Sequence, residues 1–208
     1  KYTHSRTDSV MRRLSCLLIV LLVTGFRNGW IFSCELNDTT VRQELSFYLS
    51  NQTGSLLRCG PISQWDVGQV TDFKFLFCSA GYGRTHTFDG ILYCGDDMSN
   101  FNAYISLWNT ASATSLRSTF SHARSFNADI SQWNVGRVTD MMYTFSSAST
   151  FNRSLSSWDV AKVTRLLNTF EYATSFDQDL DSWDVSSVQI TQSMFRGTTH
   201  FNGNIGSW

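Results

Sequence analysis

The chain has 208 residues, 42% of them hydrophobic and 16% charged, with a formal net charge of -1. No Lys/Arg block stands out, which excludes the electrostatic footprint of a nucleic-acid binder. A 14% aromatic content and a single proline, Pro61, exclude a disordered tract.

Residues 1–10 precede the first methionine, Met11, and read as untranslated sequence. Residues 11–25, MRRLSCLLIVLLVTG, carry a basic Arg12-Arg13 pair, an apolar run and the small residues Thr24 and Gly25. That is the anatomy of a secretory signal peptide, and the run is shorter than the about 20 residues of a membrane span. Residues 11–33 are therefore assigned as signal, cut after Gly25 or Ser33, with an uncleaved signal anchor as the alternative. Outside the leader, which holds Cys16, four cysteines remain: Cys34, Cys59, Cys78 and Cys94. The pairing Cys34–Cys59 and Cys78–Cys94 closes two local loops; four free thiols are the alternative. No C-x-x-C is present, so neither a zinc site nor a thioredoxin-type redox site is expected.

Residues 34–60 are expected to form an N-terminal helical cap. In NDTTVRQELSFYLSNQTG (37–54), Asp38 or Thr39 would cap a helix that gathers Val41, Leu45 and Tyr48 or Leu49 on one face. The sequons at Asn37 and Asn51 are candidate glycosylation sites. A third, at Asn152, falls inside the repeats described next and is expected to stay unmodified.

Residues 61–208 repeat. Tryptophan recurs at Trp65, Trp108, Trp133, Trp158, Trp183 and Trp208, at intervals of 25 after a first interval lengthened by an insertion at about 79–96. Phe101, Phe126, Phe151, Phe176 and Phe201 form a second series; Phe77, Phe120, Phe145, Phe170 and Phe195 form a third. With the first of these phenylalanines as position 1, the tryptophan is position 8 and the other phenylalanine position 20. Positions 16, 20 and 23 are apolar, the i, i+4, i+7 stripe of a short helix. Thr at 14 suits an N-cap, and positions 5 to 10 suit a short strand. The expected fold is an α/β repeat solenoid with one strand and one helix per unit: five units and the start of a sixth. The absence of a C-terminal cap in the sequence reads as a fragment of a longer protein. Asn or Asp fills positions 2 and 9, as a polar ladder serving backbone groups or, alternatively, as calcium ligands.

The stretches GPISQWDVGQVTDFKFLF (60–77), FNADISQWNVGRVTDMMYTFSSA (126–148) and FDQDLDSWDVSSV (176–188) resemble the BspA-like leucine-rich-repeat surface protein family, over roughly residues 60–208. The resemblance implies an extracellular or cell-surface location, an α/β solenoid like that of leucine-rich repeats and, loosely, adhesion or protein binding. Units weaken where Thr110, Ala113 and Ser115 depart from the pattern and in the last unit, QITQSMF.

Nothing predicts catalysis. His86, His122 and His200 are scattered, no metal-ligand spacing occurs, and GYGRTH (81–86) is half a glycine loop. No cofactor is expected. The leading expectation is a non-enzymatic surface module whose partner is an unknown protein or glycan. Gln132, Arg137, Tyr143, Lys162 and Tyr172 are candidates for its face. A purely structural spacer and a calcium-stabilised module are the alternatives. Contact with a membrane is expected only through a signal anchor or a C-terminal region outside this sequence.

Overall fold

The computed structural model describes residues 34–79, 94 and 97–208, with the backbone alone of 87–88 and 91–92. These residues belong to the second of two units, 33–208. The expected leader (11–33), residues 1–10 and most of the insertion lie outside the described residues.

Each repeat is a coil of tight turns. In the coil of Trp133, the Trp133 N–H donates to the Ile130 carbonyl (3.0 Å) and the Val138 N–H to the Val135 carbonyl (2.8 Å). Three overlapping turns follow: Thr144 to Met141, Ser146 to Tyr143 and Ala148 to Phe145, at 3.0–3.3 Å. The amides between them point to the neighbouring coils. Thr139 donates back to the Thr114 carbonyl. Met141, Tyr143, Phe145 and Ser147 donate forward to the carbonyls of Arg165, Leu167, Thr169 and Glu171, at 2.7–3.0 Å. Successive coils thus lie side by side, joined by single parallel bridges through Asp72, Ser115, Asp140, Arg165 and Ile190.

This overturns the expected α/β solenoid with one strand and one helix per unit. Among the described residues the repeats contain no α-helix and no strand longer than a single bridge. Among the described residues the only strands are β1 (Thr87–Phe88) and β2 (Ile91–Leu92), an antiparallel pair inside the insertion. The physical reason is backbone handedness. Position 18 is left-handed in Phe75, Ser118, Tyr143, Asn168 and Ser193, and position 22 in His122, Ser147, Tyr172 and Gly197, with φ between 53° and 69°. Type II turns require a positive φ at their third residue, whereas a right-handed helix cannot contain one without breaking. The helix-like stripe at 16, 20 and 23 survives because overlapping turns also bring those residues inward. Thr at 14 caps no helix: the hydroxyls of Thr114, Thr139 and Thr164 donate to the preceding coil's position-14 carbonyl.

Aromatic rings fill the interior. The position-20 phenylalanines stack at 5.3–5.6 Å with planes within 6°. Each also lies 3.9–4.4 Å from a position-1 phenylalanine. Trp65, Trp108 and Trp133 stack at 6.2–6.4 Å, as do Trp183 and Trp208. Trp65 to Trp183 are almost wholly buried; Trp208 is 37% exposed. From Trp108 onward, the indole N–H crosses to the preceding coil. Trp108, Trp133, Trp158, Trp183 and Trp208 donate Nε1–H to the carbonyls of Ile62, Ile105, Ile130, Leu155 and Leu180, at 2.7–3.1 Å. This explains why position 8 is tryptophan and not a third phenylalanine.

The first coil is closed by helix α1 (Thr40–Ser50) and helix α2 (Gln52–Cys59). The N-cap position of α1 is Thr39, one of the two residues expected there, but its side chain makes no capping bond; Asn37 does that work, its Oδ1 accepting the Thr39 and Thr40 amides while Thr40 Oγ1 accepts the Asn37 N–H. Asp38 and Arg42 serve the coil instead. Asp38 accepts the Thr71 and Asp72 amides (2.7 and 2.9 Å) and the Thr71 hydroxyl. The Arg42 guanidinium donates to the carbonyls of Asp72 and Lys74 (3.0 and 2.8 Å). Beneath them, Val41 and Leu45 are buried and the Tyr48 ring meets Trp65 edge-on at 5.9 Å.

Trp158→Phe keeps an aromatic ring but removes the cross-coil donor to the Ile130 carbonyl, which retains only the Trp133 amide of its own coil, a loss of about 1 kcal/mol for the hydrogen bond. The expected result is a lower urea midpoint with an unchanged slope; an unchanged midpoint would contradict this role for the indole. Asp38 supplies a pH test. Burial opposes its ionisation, but the amide of Asp72, the hydroxyl and amide of Thr71 and the charge of Arg42 outweigh that and hold its carboxyl below the ordinary value. A lowered folded-state value contributes stability above the unfolded value, near pH 4, which is lost as pH falls through the folded value. Asp38→Asn is therefore expected to flatten the decline of thermal stability below about pH 4, measured by circular dichroism melts across that range.

Candidate binding face

The two flanks of each coil are chemically different. On one, short polar side chains are occupied by the backbone. At position 2, the amides of Asn127, Asn152, Asp177 and Asn202 donate to Oδ1 of the same position one coil earlier, at 2.6–3.0 Å. At position 9, Oδ1 of Asp66, Asn109, Asn134, Asp159 and Asp184 accepts the amide two residues on, at 2.9–3.3 Å. The hydroxyls of Ser157 and Ser182 donate to the preceding coil's Ser131 and Ser156 carbonyls. The position-2 and serine columns stitch coils together and the position-9 column closes a turn within each coil; Asn and Asp serve because one carbon places an acceptor beside the main chain.

The other flank is the turn segment from position 15 to position 22. Its inward column at position 19 gave no sequence signal. The Thr119, Thr144 and Thr169 hydroxyls are buried and each bonds to two position-16 carbonyls, its own and the preceding coil's. The outward side chains are larger and charged. Arg165 Nη1 lies 3.6 Å from Asp140 Oδ2, and Arg196 Nη1 3.4 Å from Glu171 Oε1, each ion pair joining adjacent coils. The Arg196 guanidinium stands 5.7 Å from the Tyr172 ring centroid. Burial and the Glu171 carboxylate raise the Tyr143 hydroxyl above its ordinary pKa, against the opposing Arg117 charge. Tyr172 is 45% exposed and the Arg196 side chain 63%. Position 22 of the following coil is Gly197, at φ 69°, where a Cβ would fall 2.3 Å from the Tyr172 ring.

Of the residues expected to form a face, Tyr143 and Tyr172 belong to this segment. Arg137 and Lys162 are exposed together at position 12, and Gln132 is exposed at position 7. The structure does not gather all five. His122 lies at position 22 and His200 at position 25, so the described histidines share no site; His86 lies outside the described residues. Cys34 is joined to Cys59 and Cys78 to Cys94, with Cα–Cα distances of 4.8 and 5.4 Å. The second bridge closes the base of the insertion. Asn37 and Asn51 are exposed; each accepts backbone amides at the start of a helix with its side-chain oxygen, not with the nitrogen to which a glycan attaches. Among the described residues no helix is long and apolar enough to cross a membrane.

A family described as Mycoplasma protein of unknown function, DUF285, matches residues 91–208, more than half of the chain. The chain belongs to the DUF285 family. The match covers four of the five coils and leaves the helical cap outside. The likeness drawn from the tryptophan motif holds at this family level, and the match carries no assignment to leucine-rich repeats. No curated protein and no solved structure matches the chain.

Gly197→Ala is expected to lower stability by about 1–2 kcal/mol, the cost of a Cβ in a left-handed residue, and to displace the Tyr172 ring. A urea titration and the tyrosine near-ultraviolet dichroism read the two effects separately.

Proposed function

We propose that this chain is a non-enzymatic, surface-exposed binding module that engages a protein partner through the outward side of positions 15 to 22. One observation carries the reading. The Asn, Asp and Ser columns of one flank are spent on backbone hydrogen bonds, within a coil at position 9 and between coils at position 2 and at Ser157 and Ser182, while the turn flank presents Arg165, Tyr172 and Arg196 with exposed ends. Tyrosine and arginine are enriched at protein interfaces and among their hot spots. A face held at this precision loses little entropy on binding. The two disulfides and the leader read in residues 11–33 support export to an oxidising environment. Family membership adds a repeat-bearing relative set without an assigned activity.

The test compares binding of the labelled protein to intact cells and to extracellular material with that of Tyr172→Ser/Arg196→Ser. A Gln132→Ser variant, altered elsewhere on the surface, serves as control. Loss of binding by about tenfold or more in the double variant alone, with an unchanged melting curve, is the expected outcome; a hot-spot pair contributes on that scale. Equal binding by all three proteins would remove this face from the proposal and favour a spacer that only sets length.

A further inference from the structure

The cap brings together three groups that no local motif connects. Cys34 precedes α1, Glu44 lies in the middle of α1 and Cys59 ends α2. Their ligand atoms, two Sγ and a carboxylate oxygen, all lie within 4.8 Å of one another. Cys59 and Glu44 are buried, at 1% and 2% exposure. A carboxylate on the buried face of a short amphipathic helix is costly, and here it is held in place. The Ser55 hydroxyl donates to Oε1 at 2.6 Å and the Arg58 guanidinium pairs with Oε2.

We propose that the reduced cap is a site for a thiophilic divalent cation, zinc above all, with Cys34 Sγ, Cys59 Sγ and the Glu44 carboxylate as ligands. Disulfide and metal are then alternative occupants of one position. Two thiolates and a carboxylate are a donor set suited to Zn²⁺. With Zn–S near 2.3 Å and tetrahedral angles, the ligand atoms stand about 3.5–3.8 Å apart; once the disulfide is cleaved the two Sγ atoms must separate by roughly 2 Å to reach this, a side-chain rotation about Cα atoms 4.8 Å apart. Charge also balances: two thiolates and Glu44 carry three negative charges, met by the metal and Arg58. Cys34 is partly exposed, which leaves the fourth position to water. A dithiol reductant supplies the switch. Its two electrons and two protons cleave the Cys34–Cys59 bond to two thiols, and it leaves as a disulfide. Metal binding then releases the two thiol protons to solvent. Either occupant ties the first rung to the helices, because the Cys34 carbonyl accepts the Asp66 amide and Leu36 donates to the Asp66 carbonyl.

The test uses a Cys16→Ser/Cys78→Ser/Cys94→Ser background, which keeps one cysteine pair. After reduction with a water-soluble phosphine, Co²⁺ is titrated and the thiolate-to-cobalt charge-transfer band recorded. One bound equivalent, displaced by Zn²⁺ and absent before reduction, is expected. Cys34→Ser abolishes the band. Glu44→Gln weakens Co²⁺ binding tenfold or more, and Glu44→Asp recovers part of it. No band after reduction, a band that survives in the oxidised protein, or an unchanged titration in Glu44→Gln would each overturn the proposal. If the background fails to fold, the same titration in the reduced wild type must lose one equivalent on Cys34→Ser, and failure to do so counts against the site equally.

Discussion

The structure depends on the direction of its amides. In an α-helix every N–H points back along its own chain, so a helix can exist with no neighbour. In these coils the amides of positions 16, 18, 20 and 22 point out of the coil, to carbonyls 15, 17, 19 and 21 of the next. A single coil would leave those donors without partners while also holding non-glycine residues at positive φ. Each left-handed residue costs about 1–2 kcal/mol, and an unmet buried donor a similar amount. Neither is tolerable without the adjacent coil. The 25-residue period follows from this: a unit whose length drifted would set donors against donors.

The aromatic residues obey the same register. A phenylalanine column needs only apolar neighbours at a common height, and stacked rings contribute about 0.5–1.5 kcal/mol per pair. The tryptophans do more, because Nε1–H reaches a specific carbonyl of the preceding coil and ties the interior packing to the backbone ladder. Thr119, Thr144 and Thr169 perform the same service from the opposite wall, each hydroxyl spanning two coils. Coil-to-coil register is therefore specified by polar atoms inside an otherwise apolar core, where a missing partner is expensive.

Much of this was legible in the sequence: the period, the tryptophan and phenylalanine columns, the interrupted first interval and the polar character of positions 2 and 9. The local backbone was not. Apolar residues at 16, 20 and 23 look helical because overlapping turns and a helix share a near-fourfold recurrence of inward side chains. Glycine is the usual flag for positive φ, yet positions 18 and 22 carry Phe75, Ser118, Tyr143, Asn168, His122, Ser147 and Tyr172, of which asparagine and histidine alone hint at it. The binding flank was half legible for the same reason. Tyr143 and Tyr172 can be singled out as variable positions, but their neighbours Glu171 and Arg196 join them only through cross-coil pairing. Cys34 and Cys59 could be paired from the sequence, but Glu44 beside them could not, since only the packing of the two helices brings it there.

Directional amides also give the stack two unlike ends. Facing the N-terminus, the first coil offers carbonyls at positions 15 and 17 and an amide at position 14. A cap must supply two donors and an acceptor at those heights. Arg42 and Asp38, one helical turn apart, do so: the guanidinium serves the carbonyls of Asp72 and Lys74, and the carboxylate serves the Thr71 amide. An apolar helix of equal shape would cover the core as well, but it would leave three backbone groups unmet. The polarity fixes what the cap must be chemically; closure draws on main-chain groups of the turn segment at Asp72 and Lys74. Side chains there need only avoid the interior, which is why arginine, tyrosine and glutamate can occupy it coil after coil while the columns on the other flank stay bound to Asn, Asp and Ser.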